Sequence, residues 1–241
     1  MSMFPMAGRG GGGTDTVAAE ILTAAGATRT IGSSAGWTDS GSAIEFVAPA
    51  GSQVAQIGSV SEFLVWETST TVSDAANKEI GVRLRNLSTP AGSSMSVVLW
   101  YGIAFAADAA SYNPATTPTC VVWHHLGRAT NDNSTCRVGT TNDNGGINSG
   151  TSVGVLDRSE LRINIGGGGG NERGLWQLLS YGDGVTGTRW DNAQNNATLT
   201  GSHKLLVVLG VCRSDTEASP SGDISAILEW MAPGADWTPP S

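Results

Sequence analysis

Lys204-Leu-Leu-Val-Val-Leu-Gly-Val211 decides the fold class. Its apolar residues follow one another without the gaps of an amphipathic helix, as expected of a strand covered on both faces. Glu160-Leu-Arg-Ile-Asn-Ile165 supplies the complementary pattern. There Leu161, Ile163 and Ile165 point one way while Arg162 and Asn164 point the other, giving one buried and one wet face.

Outward from these two stretches, similar runs lie between clusters of Gly, Pro, Asn, Asp and Ser. They predict strands at Thr28 to Ser33, Ala43 to Val47, Val60 to Glu67, Ile80 to Leu84, Met95 to Phe105 and Thr119 to His125. Further strands are expected at Thr151 to Leu156, Leu161 to Ile165, Leu175 to Tyr181, Lys204 to Val211 and Ile224 to Met231. Only Asp15 to Ala27 has any helical look, and it reads equally well as an arm or a first strand. The expected fold is all-β, a two-sheet antiparallel sandwich of jelly-roll type.

Three parts are predicted: a Gly-rich attachment arm at 1–27, a β-sandwich domain at 28–231 and a Pro-rich tail at 232–241. Gly10, Gly11, Gly12 and Gly13 follow Met3, Phe4 and Met6, and such a segment becomes ordered only when something holds it. The arm is therefore expected to dock on a neighbouring subunit, its apolar side chains filling a groove and its glycines allowing close backbone approach. Trp237 is expected to act as a second assembly anchor in the tail.

Composition narrows the function classes. Of 241 residues, 14% are charged, 33 are glycine and the net charge is −8, so a nucleic-acid phosphate track is excluded. Eight tryptophans and the repeated Val/Ile/Leu runs exclude a disordered chain. No segment reaches the roughly 20 apolar residues of a membrane span, and the N-terminus lacks the pattern of a secretory signal. Cys120, Cys136 and Cys212 make no disulfide framework. Buried free thiols are expected, with a Cys120–Cys136 bridge left open.

Glycosidases need two facing carboxylates. The i, i+2 pair here, Asp215 and Glu217, falls in a loop, while Glu62 and Glu67 fall on opposite strand faces. Cys120 and His124 share a strand face, but about 13 Å apart, too far for direct proton transfer. A metal site from Cys120, His124 and His203 meets the same objection. Gly166 to Gly170 lacks the Lys-Ser/Thr of a phosphate loop. The expectation is that the chain is not an enzyme.

Two ligand readings stay open beside turn chemistry. The echo Thr130-Asn-Asp-Asn133 and Thr141-Asn-Asp-Asn144, with Asp183, offers oxygen ligands to calcium through Asp132, Asp143 and Asp183. Trp190, in a polar setting, could stack on a sugar.

Met95-Ser-Val-Val-Leu-Trp-Tyr101, Leu175-Trp-Gln-Leu-Leu179 and Ile224-Ser-Ala-Ile-Leu-Glu-Trp230 together resemble the pattern of concanavalin A-like jelly rolls, over roughly residues 35–231. A Gly/Ala/Thr-rich, lysine-poor chain with an N-terminal arm also resembles virion proteins of tailed bacteriophages, such as decoration proteins, head fibres and tail fibres. That resemblance implies a structural virion component, assembled in the host cytoplasm as a homo-oligomer among other virion proteins. The alternative is a lectin-like module binding host-surface glycans. Nucleic-acid binding and membrane insertion are not expected.

Overall fold

The computed structural model describes residues 17–32, 36–47, 62–88, 97–117, 119–126, 133–139, 158–165, 174–182, 185–192, 199–213 and 224–237. Their strands are β1 (Glu20–Leu22), β2 (Arg29–Ile31), β3 (Trp37–Ser40), β4 (Ala43–Phe46), β5 (Glu62–Thr71), β6 (Glu79–Ser88) and β7 (Val97–Ala106). They continue as β8 (Thr119–Leu126), β9 (Asn133–Gly139), β10 (Arg158–Ile165), β11 (Gly174–Gly182), β12 (Val185–Asn192), β13 (Lys204–Arg213) and β14 (Ile224–Met231). One helical turn, α1 (Val72–Ala75), follows β5 and is closed by a capping box between Thr71 and Asp74.

The strands form two sheets. The larger runs β12-β11-β10-β6-β14-β4-β3, with β1 also on β14, and the smaller runs β2-β5-β13-β7-β8-β9. All these pairings are antiparallel. The molecule is the expected two-sheet jelly-roll sandwich. Between the sheets lies the main core, which includes Leu64, Val82, Leu84, Tyr101, Ile103, Leu161, Ile163, Val207, Leu209, Leu228 and Trp230. The Tyr101 hydroxyl reaches across it to Ser159 Oγ at 2.6 Å, joining β7 of one sheet to β10 of the other.

The continuous apolar run becomes β13, between β5 and β7 in the smaller sheet. Leu205, Val207 and Leu209 enter the main core, while Leu206 and Val208 face away from it. That second face is also dry. Phe63, Val65, Trp100 and Ala104 join Leu206 and Val208, roofed by Ala109 and Tyr112 from the segment after β7. Phe63 stacks on Trp100 at 5.2 Å and meets Tyr112 edge-on at 6.1 Å. A Cβ on Gly210 would collide with the Phe63 ring, so a glycine is required there. Arg29 pins the roof, its Nη1 donating to the carbonyls of Ala109, Ala110 and Tyr112 at 3.1, 2.7 and 2.9 Å. Glu67 Oε2 accepts from the Ala109 amide at 2.9 Å.

β3, β9 and β12 lie outside the strands expected from sequence, while β1 falls in Asp15 to Ala27, where an arm or a first strand is expected. β3 (Trp-Thr-Asp-Ser) and β12 (Val-Thr-Gly-Thr-Arg-Trp-Asp-Asn) have turn-like compositions, and pairing with β4 and β11 overrides that local preference. The expected strand at Thr151 to Leu156 lies outside the described residues. Residues 17–27, taken as part of the arm, are joined to the sandwich. Trp66 Nε1 donates to the Thr23 carbonyl at 2.9 Å, and Asp39 accepts from the amides of Ala24 and Ala25 at 2.6 and 2.9 Å.

The roofed face predicts that Phe63→Ala costs about 3–5 kcal/mol in urea unfolding, as for a central core ring. A loss below about 1 kcal/mol would mean that this face is wet.

Candidate functional site

The alternation of β10 buries Leu161 and Ile163 inside the sandwich and sends Glu160 and Arg162 to the outer face of the larger sheet. Antiparallel register then sets Glu160 opposite Arg83 of β6, and Arg83 opposite Glu229 of β14. Three charged residues thus occupy one row across three adjacent strands. With strands spaced about 4.8 Å apart, the two glutamate Cα atoms stand about 10 Å apart with the arginine between them.

Arg83 Nε donates to Glu160 Oε1 at 2.8 Å, and Arg83 Nη1 lies 3.5 Å from Glu229 Oε2. Their side chains are 0%, 1% and 3% exposed. Arg85 Nη2 adds a contact to Glu229 Oε1 at 3.2 Å, and its Nε is buried without a hydrogen-bond partner among the described residues. Arg162 spans Glu160 and Glu79, at 2.9 and 2.8 Å. Burial works against the charge of Arg162, but hydrogen bonds and attraction from Glu160 and Glu79 outweigh it and raise its pKa above the ordinary value. Arg158 sits opposite Arg85 in register, so the face gathers four arginines and three glutamates.

The chain's C-terminal segment crosses this row. After β14, Ala235 closes a turn onto the Ala232 carbonyl at 2.9 Å, with Gly234 at φ +85°. The Trp237 carbonyl accepts from Arg83 Nη2, and the Trp237 ring lies 4.3 Å from the Arg162 guanidinium carbon. Gly81, beneath that ring, leaves room for it: a Cβ there would meet both the Trp237 ring and the Leu161 carbonyl. The carbonyl bond is worth about 1.5–3 kcal/mol and the cation–π contact about 0.5–1 kcal/mol.

Other candidates from the sequence fare differently. Met3, Phe4, Met6, Gly10, Gly11, Gly12 and Gly13 lie outside the described residues, as do Asp132, Asp143, Asp183, Asp215 and Glu217. Trp190 falls in β12, its backbone opposite Leu178. Trp237 is half-buried on the protein's own sheet. His203 Nδ1 accepts from the Thr200 amide at 3.2 Å, a turn contact. Cys120 pairs with Val138 and Cys136 with Val122. That diagonal offset sets them about 7–8 Å apart, past the usual Cα span of a disulfide. Among the described residues, no group of three His, Cys, Asp or Glu gathers as a metal site.

The row itself escaped the sequence reading, which sought carboxylates a few residues apart. Glu160 and Glu229 are 77 and 146 residues from Arg83. The one local signal was polar residues alternating with apolar ones in β6 and β10.

No family model and no curated protein matches the sequence. Among solved structures, the PL-14 alginate lyase from Aplysia kurodai superposes with a TM-score of 0.54 at 11% identity, covering 84% of this chain and 89% of that one. An endo-1,3-beta-glucanase from Streptomyces sioyaensis gives 0.46 at 15% identity, covering 83% and 80%. The CBM2 module of the evolved Dit of Lactobacillus casei BL23 phage J-1 gives 0.41 at 10% identity, covering 84% and 81%. The expectation that the chain is not an enzyme is overturned: its fold is shared with a carbohydrate-active enzyme, the alginate lyase. The lack of a strand-borne i, i+2 carboxylate pair, one of its grounds, is no argument either, because the sheet brings two distant glutamates into one row.

Removing Arg83 leaves two buried carboxylates without their shared cation. Arg83→Met is expected to cost about 3–5 kcal/mol. The loss should change little between low and high salt, since buried pairs are weakly screened. Urea unfolding at two ionic strengths measures both.

Proposed function

We propose that this chain is a carbohydrate-active jelly-roll protein that engages polysaccharide on the outer face of its larger sheet. The observation that carries the reading is the buried row Glu160–Arg83–Glu229 with Arg85 and Arg162 beside it. A buried ion network is a poor way to gain stability, because desolvation offsets much of its attraction. Its chemistry suits sugars. Arginine forks donate in parallel to hydroxyl and carboxylate oxygens, and glutamates accept from hydroxyls. Glu160 and Glu229, held against the arginines, are carboxylates placed to accept from sugar hydroxyls or to take up a proton, and Arg85, Arg158 and Arg162 favour an anionic polymer. The fold shared with the alginate lyase supports this class.

The test is affinity electrophoresis against alginate and a β-1,3-glucan, with release of unsaturated and reducing ends followed in parallel. Retention by alginate is expected, weakened about tenfold by Arg85→Ala through loss of one charge-assisted contact. Glu160→Gln and Glu229→Gln, checked for folding, should abolish chain cleavage. No retention by any polysaccharide would defeat the proposal.

A second reading is compatible with the first: a virion component carrying this sandwich outward, in a homo-oligomer with other virion proteins, assembled in the host cytoplasm. It draws on the glycine-rich arm and on Val17 and Ile21, which are 47% and 44% exposed where that arm enters the sandwich. Deleting residues 1–16 should leave a folded protein that no longer enters particles, and normal incorporation would refute this role.

A further inference from the structure

We infer that residues 232–237 are a displaceable strap over the charged row, and that bound saccharide takes the place of Trp237. The inference rests on the carbohydrate reading and assigns its site a regulation.

The strap lies where the chemistry is. Its Trp237 carbonyl takes a hydrogen bond from Arg83, the shared cation of the row, and its ring takes one face of Arg162. Both are groups that would otherwise hold a ligand's oxygens or ring. Arg83, Glu160 and Glu229 are buried with the strap in place, and a polymer that bonds Arg83 Nη2 must take the place of the Trp237 carbonyl.

The strap is also held differently from the sheet it covers. β14 is paired on both sides, with β6 on one flank and β1 and β4 on the other. Beyond Met231 the strap is held by the Ala232–Ala235 turn, the bridge from Val17, Ala232 against the core, buried Ala235, a further contact of Asp236, and Trp237 itself. In that bridge Val17 donates to the Gly234 carbonyl at 3.1 Å, and the Asp236 amide donates to the Val17 carbonyl at 2.9 Å. A segment joined by a single bridge opens locally at lower free energy than a strand laddered on both flanks. A ligand that binds the open form then pays in affinity for the closed fraction, and loosening the strap removes that loss.

The experiment measures alginate binding by calorimetry to the full chain, to Trp237→Ala, and to a Val17→Cys/Ala235→Cys pair that locks the strap when oxidised. The strap predicts about two- to fivefold tighter binding by Trp237→Ala, weaker binding by the oxidised lock, and recovery on reduction. Weaker or unchanged binding by Trp237→Ala overturns it, since Trp237 would then be part of the binding surface or irrelevant to it. If neither alginate nor a β-1,3-glucan binds any form, the carbohydrate reading falls, and hydrogen exchange judges the strap alone. Amides of Ala235 and Asp236 exchanging about tenfold or more faster than those of Leu228 and Trp230 support a strap. Equal protection overturns it.

Discussion

The positive charge of Arg83 is buried completely near the middle of the larger sheet, and much else follows from having to neutralise it. A guanidinium out of water needs opposite charge and hydrogen bonds in fixed places. Glu160 supplies them from β10 and Glu229 from β14, while the Trp237 carbonyl takes a remaining donor. A one-residue slip of either neighbouring strand would turn its glutamate into the apolar core and leave the cation without that partner. The ion row therefore specifies register across three strands whose apolar faces alone would fix it less sharply.

The two outer faces divide the labour. On the smaller sheet the outer face of β5, β13 and β7 is a second core, with Phe63 and Trp100 packed under a segment that carries Tyr112 and that Arg29 clamps by three carbonyls. An apolar, roofed surface has little to offer a polar ligand. On the larger sheet the outward positions carry arginines and glutamates, and the cover over Arg83 includes a six-residue strap.

The continuous run at residues 204–211 and the alternation at 160–165 made the sandwich legible, because both patterns report burial on the faces of a single strand. The same alternation placed Arg162 on a wet face, and the structure finds it there, partly exposed. What local pattern could not carry was partnership. Glu160 and Glu229 look like isolated surface charges until the order β10-β6-β14 sets them on either side of Arg83. Strand order depends on contacts over 77 and 146 residues, and no spacing rule along the chain encodes them. β3 and β12 were missed for a related reason: their polar sequences, with a glycine in β12, become strands only because β4 and β11 offer an edge. Trp237 reads by composition as an assembly anchor in a proline-rich tail, and no local pattern showed that its ring lies over Gly81 and against Arg162.

The two ends of the described fold also bear on each other. Val17 bridges to Ala235 through paired backbone hydrogen bonds, four residues after which β1 and β14 align Ile21 with Glu229. Glu229 is the carboxylate that Arg83 and Arg85 share, so the first strand, the charged row and the strap form one contiguous set of contacts. A displacement of Val17 strains the bridge that seats Ala235 and Asp236, and through them the position of Trp237. An N-terminal segment held by a partner would then act on the same strap that covers the row.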